Sequence, residues 1–300
     1  MNSSDASIRS KTFDWLAEQT SIHGDVLPRR PLLEKGFAFG DAVVPLVSAQ
    51  GIFKPAIMDL PLSITTSPKG PYDDSFGDDG LLRYKYRGVN PNHRDNVGLR
   101  TLMEKQIPLV YFHGIVPNRY LAIWPTFIVG DNPNNLSFQV AVEDIGLLSE
   151  KAINEIAESD LARRTYLTTT VKQRLHQRGF REKVLRAYQD SCALCRLKHR
   201  ELLDAAHIIP DHEPEGLPIV TNGLSLCKLH HSAFDSFILG ITPDYEVIVR
   251  NDILEETDGP VLQYALKNLH KSKLIVPRSP SERPNRDNLA WRYEKFISVG

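Results

Sequence analysis

At 300 residues the chain exceeds one domain of ordinary size, about 100–200 residues, and its 24% charged and 41% hydrophobic residues exclude disordered and collagen-like classes. No run reaches the roughly 18 apolar residues of a membrane span, and the opening MNSSDASIRSKTFDWLAEQ carries Asp and Glu where a signal peptide would be apolar. A cytoplasmic chain with no membrane partner is expected. The net charge of −1 speaks against nucleic acid only until it is divided: residues 1–160 hold 15 Lys+Arg and 20 Asp+Glu, and residues 161–300 hold 21 and 17.

In chain order, the first half reads as β-rich. Strand-like runs stand at DAVVPLV, LLRYKYRG, PLVYFHGI, YLAIWPTFIVG and LSFQVAV, separated by Gly, Pro, Asn and Asp clusters. Helical spacing is confined to KTFDWLAEQ, NVGLRTLMEKQ and LSEKAINEIAESDLARR. The last has neither Pro nor Gly and predicts a helical linker. The expected organisation is a β domain over 1–145, a helical basic linker over 146–180 and a second domain over 181–300.

Within 161–186 there are eight basic residues, among them Arg174, Arg178 and Arg181, against the single acid Glu182. Such a block suits either a solvated helix face or a phosphate backbone. Directly after it come all three cysteines. Cys192 and Cys195 form C-x-x-C, and Cys227 opens C-x-x-H with His230. Short two-residue loops let paired ligands reach one tetrahedral ion, so these four residues predict a closed, structural zinc site. His199 is a weaker alternative for the fourth ligand. Between the two pairs, LLDAAHII and GLSL read as strands and CKLHHSAFDSF as a helix, which puts His207 at a strand end, Asn222 in the connecting loop and His231 on the helix. The segment DGPVLQYALKNLHKSKLIVPRSPSERPNRDNLAWRYEKF is mostly helical with a Pro-rich break, and a supporting or dimerising role is all it suggests.

The HIIP, NG and HHSAFD segments, flanked by the cysteines, resemble the HNH nuclease family over about residues 186–250. That resemblance implies a ββα-metal finger and phosphodiester hydrolysis, with His207 as general base, Asn222 as a structural residue and His231 as ligand to a catalytic Mg²⁺ or Mn²⁺. The residue types suit the work. An imidazole with pKa near 6.5 takes a proton from water at neutral pH, and an amide pins a loop without titrating. His230 and His231 stand about 100° apart on a helix, so one can face each metal. Many members carry Asp or His directly before the base, where this chain has Ala206. Asp235, four residues after His231, is the expected second ligand, whereas Asp204 is expected on the strand face opposite His207.

In the first half, AQGIFKPAIMDLPLSITTSPKGPYDDSFGDDGLLRYKYRG followed by DNVGLRTLMEKQIPLVYFHGI is similar to the SRA family over about residues 50–116. The likeness lies in the GI segment, the Tyr-Asp-Asp run, Tyr86 and Gly88 at a strand end, and an N-x-x-L helix before a Pro-Leu-Val strand. It implies a PUA-like β-barrel that flips a modified cytosine out of DNA. Tyr72 and Tyr86 would then sandwich the base, Asp73 or Asp74 would accept from its exocyclic amine, and Arg87 with its basic neighbours would face phosphate.

The combined expectation is an α+β chain: an SRA-like reader joined to a zinc-stabilised HNH domain, acting as a modification-dependent restriction endonuclease of bacterial defence on double-stranded DNA. Two cuts from one site per chain favour a homodimer. Two rivals are an effector nuclease whose first domain senses a small-molecule or nucleotide signal, and a non-catalytic zinc-stabilised DNA-binding module.

Overall fold

In the computed structural model the chain divides into two compact units, Met1–Arg178 and Gly179–Gly300. The structure describes residues 3–67, 77, 81–142, 175–257 and 259–299. Tyr72, Asp73, Asp74, Arg174 and the expected linker helix over 148–164 lie outside the described residues.

The first unit opens with helix α1 (Ser3–His23), which contains neither Pro nor Gly. Ile8, Thr12 and Leu16 recur every fourth residue and form its buried stripe. Gly24, with φ +75°, ends the helix in the left-handed conformation that residues with a Cβ resist. Asp5 accepts from the Asp59 and Leu60 amides, and buried Arg9 donates to the carbonyls of Pro61 and Pro108, so polar as well as apolar contacts fix α1.

A seven-stranded curled sheet follows. It comprises β1 (Val26–Pro28), β4 (Ile52–Phe53), β5 (Ser63–Thr65), β6 (Leu82–Lys85), β7 (Leu109–Val116), β8 (Arg119–Asn132) and β9 (Ser137–Val142), in the order β4-β5-β7-β8-β9-β6 with β1 also on β8. All pairs are antiparallel except β5 with β7. The curl comes from β8, whose residues 119–126 pair with β7 and 126–132 with β9, with register shifts along both ladders. Alternation then sorts side chains: Tyr111, Leu121 and Ile123 enter one core with Leu99 of helix α2 (Arg94–Glu104), and Val110, Phe112 and Ala122 enter another with Ile8 and Leu16. A short hairpin of β2 (Phe37–Phe39) and β3 (Ala42–Val44) completes the unit.

The second unit begins with helical residues 179–187, α3, whose Phe180, Val184 and Leu185 enter its core. Strands β10 (Leu203–His207) and β11 (Gly223–Cys227) pair antiparallel, with Leu203 opposite Cys227 and His207 opposite Gly223. Helix α4 (Lys228–Asp235) leaves β11 directly. The hairpin β12 (Leu239–Ile241) and β13 (Val247–Val249), helices α5 (Asn251–Glu255), α6 (Pro260–Ala265) and α7 (Arg286–Val299) follow. A Cβ at Gly223 would lie 2.4 Å from Val184 Cγ2 and 2.9 Å from the Phe180 ring, so glycine is what lets α3 close on the hairpin opposite His207. No described helix is long and apolar enough to cross a membrane.

Candidate active site

The four residues of the two Cys/His pairs converge. One ligand atom from each of Cys192, Cys195, Cys227 and His230 can be chosen so that all lie within 4.8 Å of one another. His230 Nδ1 is 3.4 Å from Cys192 Sγ and 3.2 Å from Cys227 Sγ, spacings suited to the edges of a tetrahedron around one ion. Its Nε2 lies 2.8 Å from the Ala265 carbonyl. A carbonyl there fixes the tautomer and frees Nδ1 for a metal, the usual arrangement behind a ligating histidine. His199 is not in the cluster; it sits before the 3₁₀ turn Arg200–Leu202.

On the neighbouring hairpin, His207 ends β10 and stacks on Phe180, the ring centroids 4.0 Å apart and 18° from parallel. Its Nε2 is buried with no hydrogen-bond partner among the described residues, which leaves Nδ1 as the nitrogen able to meet water. Burial pushes the imidazole pKa below 6.5, and the nearby Asp211 carboxylate opposes that only in part. His207 is therefore neutral at pH 7 and able to accept a proton.

Asn222 closes the loop that begins at His207. It is fully buried, its Oδ1 accepts from the Ile209 amide at 3.0 Å, and its Nδ2 donates to the carbonyls of Ile209 and Leu217 at 2.9 and 3.1 Å. The adjacent backbone is tied as well, since the Ile208 amide donates to the Asn222 carbonyl.

His231, on α4, lies between two carboxylates. Nε2 is 3.2 Å from Asp235 Oδ2 and Nδ1 is 3.5 Å from Asp204 Oδ2. Asp204 first, and then Asp235, hold the His231 pKa up at about 9 against the opposing effect of burial. Asp204 was expected on the strand face opposite His207, and on that face it meets His231. His207 does face α3, where it meets Phe180, but α4 brings His231 to Asp204. Face alternation constrains neighbours on a strand, not the helix that approaches them. Asp204 and Asp235 thus flank opposite ring nitrogens of His231, so His231 and one of the two carboxylates can share an ion through a single nitrogen.

Two expected DNA contacts are corrected. Arg181 donates to the carbonyls of Arg200 and Leu203 and pairs with Glu182, which also binds Arg200, so it braces α3 against the start of β10. Lys183 and Arg186, on the same helix, remain exposed. Tyr86 is 2% exposed and packs 4.6 Å from Phe138, with its hydroxyl bonded to Asp131. Both ring faces lie in the core, so Tyr86 is not an open stacking platform. Arg178 pairs with Asp25 at 3.0 Å and Arg87 with Asp95 at 2.8 Å, both while partly exposed. Arg87 is also fixed through its backbone by Asn96, which binds its amide and its carbonyl. Sequence reasoning missed a polar cluster in the first unit, where the Tyr111 hydroxyl lies 2.7 Å from His113 Nδ1 and Thr66 Oγ1 is 3.2 and 3.3 Å from the two.

With that geometry in place, residues 192–242 match the model of a family described as HNH endonuclease. The chain carries an HNH endonuclease domain and is an enzyme of that class. No curated protein matches the sequence. Among solved structures it is similar to "Modification dependent TagI restriction endonuclease", with 16% identity, TM-score 0.30 and coverage of 79% of this chain and 81% of that one. It is also similar to "Structure of the Type IV phosphorothioation-dependent restriction endonuclease ScoMcrA", with 12% identity, TM-score 0.22 and coverage of 79% and 51%.

Proposed function

We propose that the protein is a modification-dependent DNA endonuclease in which the second unit, as a ββα-metal finger, hydrolyses the phosphodiester and the first unit selects the target. The observation that carries the hydrolytic reading is the single hairpin-and-helix frame that gathers His207, Asn222 and the Asp204–His231–Asp235 set. His207, neutral through burial, takes a proton from water at Nδ1 as the water oxygen bonds to phosphorus. The P–O bond to the leaving oxygen breaks, and that oxygen takes a proton from solvent. Asn222 holds the loop, and through it the base, without changing charge. His231 with one of its two flanking carboxylates, Asp204 or Asp235, would hold Mg²⁺ or Mn²⁺, which supplies electrostatic stabilisation of the charge developing on the phosphoryl oxygens. Zn²⁺ in the Cys3His cluster would tie α4 to residues 192–195, because that set leaves no coordination position for substrate.

Selection by base modification rests on the SRA-like segment. A flipped base needs aromatic faces and edge hydrogen bonds. With Tyr86 in the core, Tyr72, Asp73 and Asp74 carry this part of the reading, and Arg87, Arg174 and Arg178 are the proposed phosphate contacts. In the second unit the exposed Lys183 and Arg186 are proposed as further phosphate contacts. A homodimer, one site per strand, accounts for double-strand cleavage.

The test is incubation with Mg²⁺ or Mn²⁺ and otherwise identical duplexes bearing unmodified, 5-methyl or 5-hydroxymethyl cytosine, followed by mapping of the ends. Cleavage of one modified duplex, with preference lost in Tyr72→Ala while cleavage remains, is expected. Equal cleavage of all three would remove the reader.

A further inference from the structure

We infer that the C-terminal helix α7 is a working part of the nuclease centre, with Asn288 as a positioning residue that fixes Asn222 and, through it, the loop carrying His207. This rests on the nuclease reading above. The Asn222 amide has two N–H groups and two lone pairs. Both N–H groups go to carbonyls of its own loop and one lone pair to the Ile209 amide. Those bonds settle which way the amide faces, since the Ile209 N–H must meet oxygen and the Ile209 carbonyl must meet nitrogen. One lone pair of Oδ1 remains in a fully buried position, and Asn288 Nδ2 fills it at 2.9 Å, from 66 residues away in sequence.

The start of α7 is stitched to the same turn. The Asn285 amide donates to the Thr221 carbonyl at 2.8 Å, and Asn285 Oδ1 caps the helix by accepting from the amides of Asp287 and Asn288. One turn further along, Arg292 is buried between the rings of Phe234 and Phe237, its Cζ 4.7 and 4.5 Å from their centroids. It donates to the Phe234 carbonyl at the end of α4 and lies 3.5 Å from Asp235. One face of α7 therefore touches both the loop of the base and the end of the helix that carries His231 and Asp235. Phe296 anchors the far end, where a Cβ on Gly240 would meet its ring at 2.6 Å.

The deciding variant is Asn288→Asp, which keeps the shape but sets an acceptor against Asn222 Oδ1; Asn288→Ala is its partner. In the full chain, kcat for plasmid nicking should fall about 10- to 100-fold, the range expected when a catalytic group is misplaced, while KM for DNA and bound zinc stay unchanged. Amide exchange over residues 207–222, measured without DNA or added divalent metal, should rise at least about tenfold. In an Asn222→Ala background Asn288→Asp should add no further loss, because its effect passes through that amide. Unchanged exchange, or losses that multiply in the double variant, would overturn the inference. A wild-type chain that cuts no DNA would sink the nuclease reading itself, and the exchange measurement would still decide whether Asn288 holds the loop.

Discussion

The two units build polar sites in opposite ways. In the second, the Cys and His side chains come from one turn, two paired strands and the helix that follows, so short spacings already bring Cys192 to Cys195, Cys227 to His230 and His231 to Asp235. In the first, Tyr86 meets Asp131 on β8 and Arg100 on α2, and Thr66 meets Tyr111 and His113 on β7, so elements far apart in sequence supply each cluster. A compact local frame writes its chemistry into spacing; a curled sheet writes it into register. Their cores differ too, since the second unit adds a Cys3His cluster suited to a metal to its apolar core while the first has two apolar cores.

The largest way to break that contrast is to remove a sulfur. Cys227→Ala should abolish zinc binding and unfold the second unit while leaving the first folded. Structural zinc contributes on the order of 10 kcal/mol of binding free energy, comparable to the roughly 5–15 kcal/mol that separates folded from unfolded domains. Scanning calorimetry should show one cooperative transition lost and one kept, and two retained transitions would show that apolar packing suffices for the second unit. A smaller effect is expected at the proposed site of the catalytic cation. Asp204→Asn removes the carboxylate beside His231 Nδ1 and should weaken Mn²⁺ binding by about 10- to 100-fold in titration calorimetry. Unchanged affinity would place Asp204 outside the site.

His113 sharpens the account of the first unit. Burial lowers its pKa from 6.5 to about 4, so between those values the unfolded chain binds a proton that the folded chain refuses. The contribution is complete above pH 6.5 and disappears as pH falls towards 4, worth about 3 kcal/mol at most. Denaturation of the first unit at pH 7 and pH 4.5 should show that loss in wild type and little of it in His113→Gln. The smallest effect belongs to Tyr86→Phe, which removes one hydroxyl from Asp131 and should cost about 1 kcal/mol without altering any preference for modified DNA. A lost preference would return Tyr86 to the reader.

What was legible in the sequence follows the same division. The convergence of Cys192, Cys195, Cys227 and His230 could be read because few residue types suit a metal and their spacing is short. The strands of the first unit were legible through alternation, and LVYFHGIV indeed divides its side chains between two cores. The closeness of Asp204 to His231 was not legible, because strand alternation is silent about the direction from which α4 arrives. Arg181 looked like a phosphate contact because a basic residue on a helix does not reveal that carbonyls of Arg200 and Leu203 lie within its reach. Tyr86 was expected at an open pocket, yet Phe138 on β9 covers it through a pairing no local spacing announces. Asn288 and Arg292 gave no signal at all, since their partners are 66 and 57 to 58 residues away.

The central claim is that His207, held neutral and pinned by the Asn222 loop, is the base of a metal-dependent nuclease. Its most direct test is supercoiled plasmid carrying modified cytosine, incubated with Mg²⁺ or Mn²⁺ and either wild type or His207→Ala. Wild type should nick and linearise the plasmid, and His207→Ala should be slower by about 10²- to 10⁴-fold, the range for removal of a general base, with zinc content unchanged. Equal cleavage by the two proteins would contradict the account.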